Sequence, residues 1–126
     1  MEKDIKKVPA VEGASRPRAS YSVYTGVGNL VFLAGQVATD SNTGVIPESF
    51  VGQLRLVLDN IKVILESAGS SMDNILKTTV FLKDRTYHGE YDDVYKDYFN
   101  NGYPARTTVV AELMYDDFLL EIEAVA

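Results

Sequence analysis

The stretch from Phe50 to Ala68 constrains this chain most. Phe50, Leu54, Val57, Leu58, Ile61, Ile64, Leu65 and Ala68 recur at three- and four-residue steps, the spacing that gathers one face of an α-helix. Ser49 stands where an N-cap belongs and Gly69 where a helix-ending glycine belongs. About twenty residues at roughly 1.5 Å each make a rod of about 30 Å. A rod with one long apolar stripe must be covered, and its length suits a sheet. Leu56 and Val63, one heptad apart and off the stripe, mark a second face that also meets protein.

The flanking segments supply that sheet. Tyr21-Ser22-Val23-Tyr24 and Leu30-Val31-Phe32-Leu33 are β-branched and aromatic runs around Gly26-Val27-Gly28-Asn29, which predicts a hairpin. The Gly-x-Gly here is a turn rather than a dinucleotide fingerprint, because the third glycine position is Val31 and no helix follows. Asp40 to Gly44 has loop composition. Ile75 to Leu82 alternates as a strand, with Leu76, Thr78, Val80 and Leu82 on one side. Tyr91, Val94, Tyr95, Tyr98 and Phe99 form the aromatic stripe of a second, shorter helix, ended by Asn101-Gly102 and Pro104. Core packing is the expected use of that stripe. Two strands, Arg106–Leu113 and Phe118–Val125, follow around a turn at Met114–Asp117. The order β-β-α-β-α-β-β predicts an α+β two-layer sandwich, two helices on one face of a five-strand sheet. With 126 residues and no internal repeat, residues 1–126 read as a single domain, of which 1–19 form an N-terminal arm or edge segment.

Composition narrows the chemistry. The chain is 46% hydrophobic and 24% charged, with no apolar run of the roughly 18–20 residues that a membrane span needs. The N-terminal lysines have no apolar stretch behind them, so no secretory signal is expected, and a soluble cytoplasmic protein is. Cysteine is absent and His88 is the one histidine, which excludes thiolate chemistry and leaves no ligand set for a metal. The run Glu90, Asp92, Asp93 and Asp97 reads as a solvated helix face and His88 as a loop residue. Eighteen acidic against twelve basic residues give a net charge of −6, which disfavours nucleic acid as a partner.

A helix layer covers only one face of the sheet. In the last strand Leu120, Ile122 and Ala124 alternate toward the helices, while Leu119, Glu121, Glu123 and Val125 point away. A face combining these with Val110 and Phe81 or Val80 is too apolar for water and too polar for a core, which suits a subunit interface holding polar pockets. Arg106 and Glu121 lie on the last two strands. Antiparallel pairing would place them within a rung or two if they share a face. They form either a cross-strand ion pair or an arginine fork for a carboxylate with a proton-handling acid beside it.

Pro104-Ala105-Arg106-Thr107-Thr108-Val109 and Glu121-Ile122-Glu123-Ala124-Val125-Ala126 together resemble the C-terminal fingerprint of the Rid (YjgF, reactive intermediate deaminase) family. Gly28–Gln36, Leu58–Ile61 with Ala68-Gly69, and Ile75–Asp84 agree with it in order and spacing, so the likeness runs from about Tyr21 to the end. The resemblance implies a chorismate-mutase-like homotrimer, its sheets closing a central barrel with clefts between subunits. It implies hydrolysis of 2-imino acids and their enamine tautomers, such as 2-aminoacrylate and 2-iminobutyrate, to 2-keto acids and ammonia, with no cofactor. Position by position, Arg106 matches the arginine that holds the substrate carboxylate, and Glu121 the acid that positions or activates water. Tyr21 and Gly35 match cleft-lining positions, and Thr108 a pocket position that is often cysteine. The chain departs from the pattern at Ala19-Ser20, where Gly-Pro is usual, at Ala34, where serine is frequent, and at Asp92, where asparagine is common. Two other roles remain open at this point: a non-catalytic trimer that binds a small carboxylate, and the endoribonuclease or translation-inhibitor role once attached to the family, which the net charge disfavours.

Overall fold

The computed structural model describes residues 4–126; the first three residues of the expected arm lie outside the described residues. The elements in chain order are β1 (Ile5–Val8), β2 (Tyr24–Val27), β3 (Leu30–Gln36), α1 (Phe50–Ser67), β4 (Lys77–Leu82), α2 (His88–Tyr95), β5 (Ala105–Val110) and β6 (Leu120–Val125). The fold is α+β: both helices pack on one face of a mixed six-strand sheet, in the order β1-β2-β3-β6-β4-β5. The sixth strand comes from the arm, where Ile5–Val8 pairs antiparallel with β2 at the sheet edge. No described helix is long and apolar enough to cross a membrane.

Helix α1 follows its sequence signals closely. The Ser49 side chain accepts from the Gly52 amide at 3.0 Å, which caps the first turn. At the other end the Gly69 amide donates to the Glu66 carbonyl and the Ser70 amide to the Leu65 carbonyl, with Gly69 at φ +79°. That pair of bonds is a Schellman closure, and it requires the left-handed conformation that glycine adopts without strain. The stripe Phe50, Leu54, Val57, Leu58, Ile61, Ile64 and Leu65 is buried against Leu33, Val80, Leu82, Leu120, Ile122 and Ala124 from the sheet. Removing any one of the large aliphatic side chains there would cost about 2–5 kcal/mol.

Helix α2 is shorter than its aromatic stripe suggests and continues as a 3-10 turn over Lys96–Tyr98. Tyr91, Val94, Tyr95 and Phe99 are buried as expected. The first hairpin turns at Gly28-Asn29, between the paired residues Val27 and Leu30, with positive φ at Gly28 only. Tyr21 therefore precedes the strand instead of lying in it. In β4, Thr78, Val80 and Leu82 face the helices, whereas Leu76 lies before the strand and is exposed.

The last two strands depart most from expectation. They do not form a hairpin. β5 pairs parallel with β4, and β6 lies between β3 and β4, antiparallel to both. The physical reason lies in burial and connection length. β6 carries Leu120, Ile122 and Ala124, all fully covered, which belongs at the sheet centre. β5 is mostly exposed, which belongs at an edge. The chain between β4 and β5 contains α2, and a helical crossover is what a parallel pair needs.

Register then assigns the faces. Val80 is in the core, and Val110 pairs with Leu82 on the helix side, so neither belongs to the open face. Phe32, Val125, Phe81 and Val109 do lie there, with Thr79, Thr107 and Glu123 between them. Phe32 and Val109 are each about two-fifths exposed, and Lys77 Nζ donates to Thr107 Oγ1 at 2.6 Å across the same surface.

Candidate functional site

Glu121 pairs with Phe81 on the open face, whereas Arg106 pairs with Thr78, whose side chain is buried on the helix face. With β4 between their strands and the sheet between their side chains, the two cannot meet within one copy. The expected cross-strand neighbourhood of Arg106 and Glu121 is therefore absent. Two separate clusters take its place.

The first surrounds Glu121. A cavity of about 360 Å³ brings Tyr21, Gly35 and Glu121 together with Arg18, Tyr115 and Phe118. A bulge in β3 shapes its floor. Leu33 pairs with Ala124 and Gln36 with Ile122, so Ala34 and Gly35 oppose a single residue of β6. The extra residue brings the Gly35 backbone against the Glu121 side chain. A Cβ on Gly35 would lie 2.8 Å from Glu121 Cδ and Oε2 and 3.1 Å from its Cγ. Gly35 thus leaves room for a carboxyl group, which explains the glycine in physical terms. Gly35→Ala is expected to keep the fold, since the carboxyl end can swing aside, but to displace the Glu121 carboxyl from its place in the cavity. A crystal structure of the variant with a melting curve on the same sample checks both halves of that expectation.

Glu121 is half-buried. Burial, and then the neighbouring Glu123 carboxylate, push its carboxyl above the usual carboxylate range. It makes no hydrogen bond or ion pair among the described residues. A carboxyl group with raised proton affinity, open to a cavity and uncommitted, is suited to exchanging a proton with water.

The loops around this cavity are tied down from the helix layer. Gln53 on α1 is buried, donates to the Pro47 and Asp117 carbonyls at 2.8 Å each, and accepts from the Leu119 amide at 2.9 Å. Asn60 donates to Ser15 Oγ at 3.1 Å, and Ser15 Oγ in turn donates to the Thr39 carbonyl. Arg18 donates to Thr39 Oγ1 at 3.2 Å and lies over the rings of Tyr115 and Phe118 at 5.4 and 5.5 Å. Arg18, Tyr115 and Phe118 were not legible as site residues. Arg18 and Tyr115 sit in loops without periodicity, and Phe118, expected to open the last strand, lies in the loop before β6; only the folded loops bring the three to one wall.

The second cluster surrounds Arg106 on the helix side. Its guanidinium lies over the rings of Tyr91 and Tyr95 at 4.7 and 5.0 Å, and Nη1 donates to Asp92 Oδ1 at 2.9 Å. Tyr95 Oη and Thr78 Oγ1 share a buried hydrogen bond of 2.8 Å beneath it. Thr108 follows Arg106 on the same face of β5 and is half-buried. The Tyr91 hydroxyl lies beside Thr108 and Arg106 yet makes no hydrogen bond of ordinary geometry. The aromatic stripe therefore has two uses: one side fills the core and the ring faces carry a cation. Among the described residues no three His, Cys, Asp or Glu side chains converge on a metal position, and His88 is exposed on α2.

The class is thus a small α+β protein with an unpaired, half-buried carboxyl in an open cavity and a ring-mounted arginine on its far side. The family model described as Endoribonuclease L-PSP matches residues 12–126. A RutC family protein of Pyrococcus horikoshii is 42% identical over 123 residues, covering 97% of this chain and 98% of its own. The 2-iminobutanoate/2-iminopropanoate deaminase of Escherichia coli K12 is 34% identical over 125 residues, covering 97% and 98%. The crystal structure of the Escherichia coli YjgF gene product superposes with a TM-score of 0.89 at 34% identity, covering 96% of this chain and 98% of that one. This chain belongs to the YjgF/Rid (L-PSP) family.

Proposed function

We propose that this protein hydrolyses 2-imino acids and their enamine tautomers, of the 2-aminoacrylate and 2-iminobutyrate kind, to 2-keto acids and ammonia. The observation that carries the reading is Glu121, a half-buried carboxyl of raised pKa beside a cavity and without a partner. Water adds to the imine carbon as Glu121 takes its proton. The carbinolamine then collapses, and the proton returns to the departing nitrogen. Arg106 anchors the substrate carboxylate, sets the imine carbon in place and draws electron density from it. Tyr21, Gly35 and Thr108 line the space between.

Because Arg106 and Glu121 occupy opposite faces of one copy, this chemistry calls for a second copy: the Arg106 half-site of one chain against the Glu121 cavity of the next. A homotrimer with three such clefts satisfies this and covers the open face bearing Phe32, Phe81 and Val109. Light scattering at micromolar concentration is expected to give three times 13.9 kDa; a stable monomer would refute the shared cleft.

A non-catalytic carboxylate binder would have the same use for Arg106 but none for a proton-active acid. The two are separated by generating 2-aminoacrylate in situ with a dehydratase and following pyruvate and ammonia. Release faster than the spontaneous rate, in proportion to added protein, supports the hydrolase. An unchanged rate with retained binding of pyruvate would establish the binder.

A further inference from the structure

The Arg106 guanidinium is not an empty carboxylate receptor. It rests over the rings of Tyr91 and Tyr95, a contact separate from its bond to Asp92. Asp92 takes one donor, Nη1, through Oδ1 at 2.9 Å. The remaining donors of Arg106, and Asp92 Oδ2, make no hydrogen bond among the described residues. Asp92 is also the more open of the two, with 57% of its side chain exposed against 25% for Arg106. The half-site therefore presents free donors and a free acceptor side by side on a pair of zero net charge.

Such a pair reads two charges at once. A ligand with only a carboxylate gains the guanidinium but meets the Asp92 charge beside it. A zwitterion whose cationic nitrogen and carboxylate sit on adjacent carbons gains from both. We propose that Asp92 is a specificity-determining residue that selects the zwitterionic 2-iminium carboxylate over the singly charged 2-keto acid. The proposal deepens the reading of Arg106 as substrate anchor and rests on it. The balanced reaction shows what this achieves: R–C(=NH2+)–COO− and H2O give R–C(=O)–COO− and NH4+. The organic molecule loses its cation in the reaction, so the contact with Asp92 changes from attraction to repulsion at the moment product forms. Asp92 thus favours the protonated, more electrophilic form of the substrate and then helps expel the keto acid. One ion contact at 4 Å in water is a factor of about 5 in affinity, and because both ligands place the same carboxylate beside Asp92, the contact of the cationic nitrogen alone separates them, by about 5-fold.

The test is a pair of titrations on the full-length assembled protein. 2-Aminobutanoate is the stable zwitterion, with its ammonium at the iminium position, and 2-oxobutanoate is the product form. Both are titrated by NMR into the wild type, Asp92→Asn and Arg106→Lys. Asp92→Asn is expected to tighten 2-oxobutanoate relative to 2-aminobutanoate, moving the ratio of the two Kd values about 5-fold toward the keto acid. A ratio that does not move, or equal shifts of both ligands, overturns the role of Asp92. Arg106→Lys distinguishes the foundation. If it weakens both ligands while the Asp92→Asn ratio stays fixed, only the Asp92 proposal fails. If it changes neither ligand, the anchor reading fails and this proposal falls with it.

Discussion

Glu121→Gln is expected to lower turnover about 10²-fold or more while leaving carboxylate affinity nearly unchanged. Gln keeps the shape of the side chain and its fit against Gly35 but cannot take a proton from water, and positioned general bases are worth about 10²–10⁴-fold. Single-turnover assays with 2-aminoacrylate, together with a pyruvate titration, separate the two quantities. Unchanged turnover would reduce Glu121 to a structural group. The same variant carries a stability signature of the opposite sign. Burial raises the Glu121 pKa in the folded chain, so the folded state holds the proton more tightly than the unfolded one. The stability this group contributes is complete below its unfolded value of about 4.3 and is lost as pH rises through the folded value. At neutral pH the buried charge is a net cost that Gln removes. Glu121→Gln should therefore melt above the wild type at pH 7, with the difference vanishing as the pH falls below the unfolded value.

Arg106→Lys should lower kcat/KM about 10- to 1000-fold without loosening the assembly. Lysine keeps the charge but not the planar fork, nor the broad face that rests on Tyr91 and Tyr95. A hydrogen bond to a charged group is worth about 1.5–3 kcal/mol, and a substrate set askew loses proximity as well. If Arg106 served only as a distant attractor in an acidic protein, lysine would do nearly as well. Near-normal rates would show that, and a variant that dissociates would show that Arg106 is an interface residue instead. Rate measurement alongside light scattering resolves the three cases.

Legibility in the sequence follows from how local each feature is. Helix α1 could be placed to within a residue because its cap, its stripe and its closing glycine are all set by neighbours in the chain. The inward triplet Leu120, Ile122 and Ala124 was legible for the same reason, since alternation needs only the strand itself. The pairing of β5 was not. Parallel pairing across a helix is decided by which strand can tolerate the sheet edge, and a short turn-like segment at 114–117 pointed instead to a hairpin. That reading brought Arg106 and Glu121 within a rung or two on the condition of a shared face, which the register denies. The family likeness singled out both residues as candidates but carried no information on which of them share a face. Asp92 was legible as an added negative charge; its hydrogen bond to Arg106 became visible only once α2 lay over β5.

The separation of Arg106 and Glu121 by the thickness of the sheet has a consequence for the protein as a population. On the proposed reading each copy owns halves of two different clefts and the whole of none. A single copy then holds no complete site, and dilution silences the chemistry by parting the halves. Specific activity becomes a function of how many chains are present, rising from nothing as encounters become frequent. A freshly synthesised chain stays latent until it finds others of its kind, so the sheet acts as a partition that ties chemistry to company.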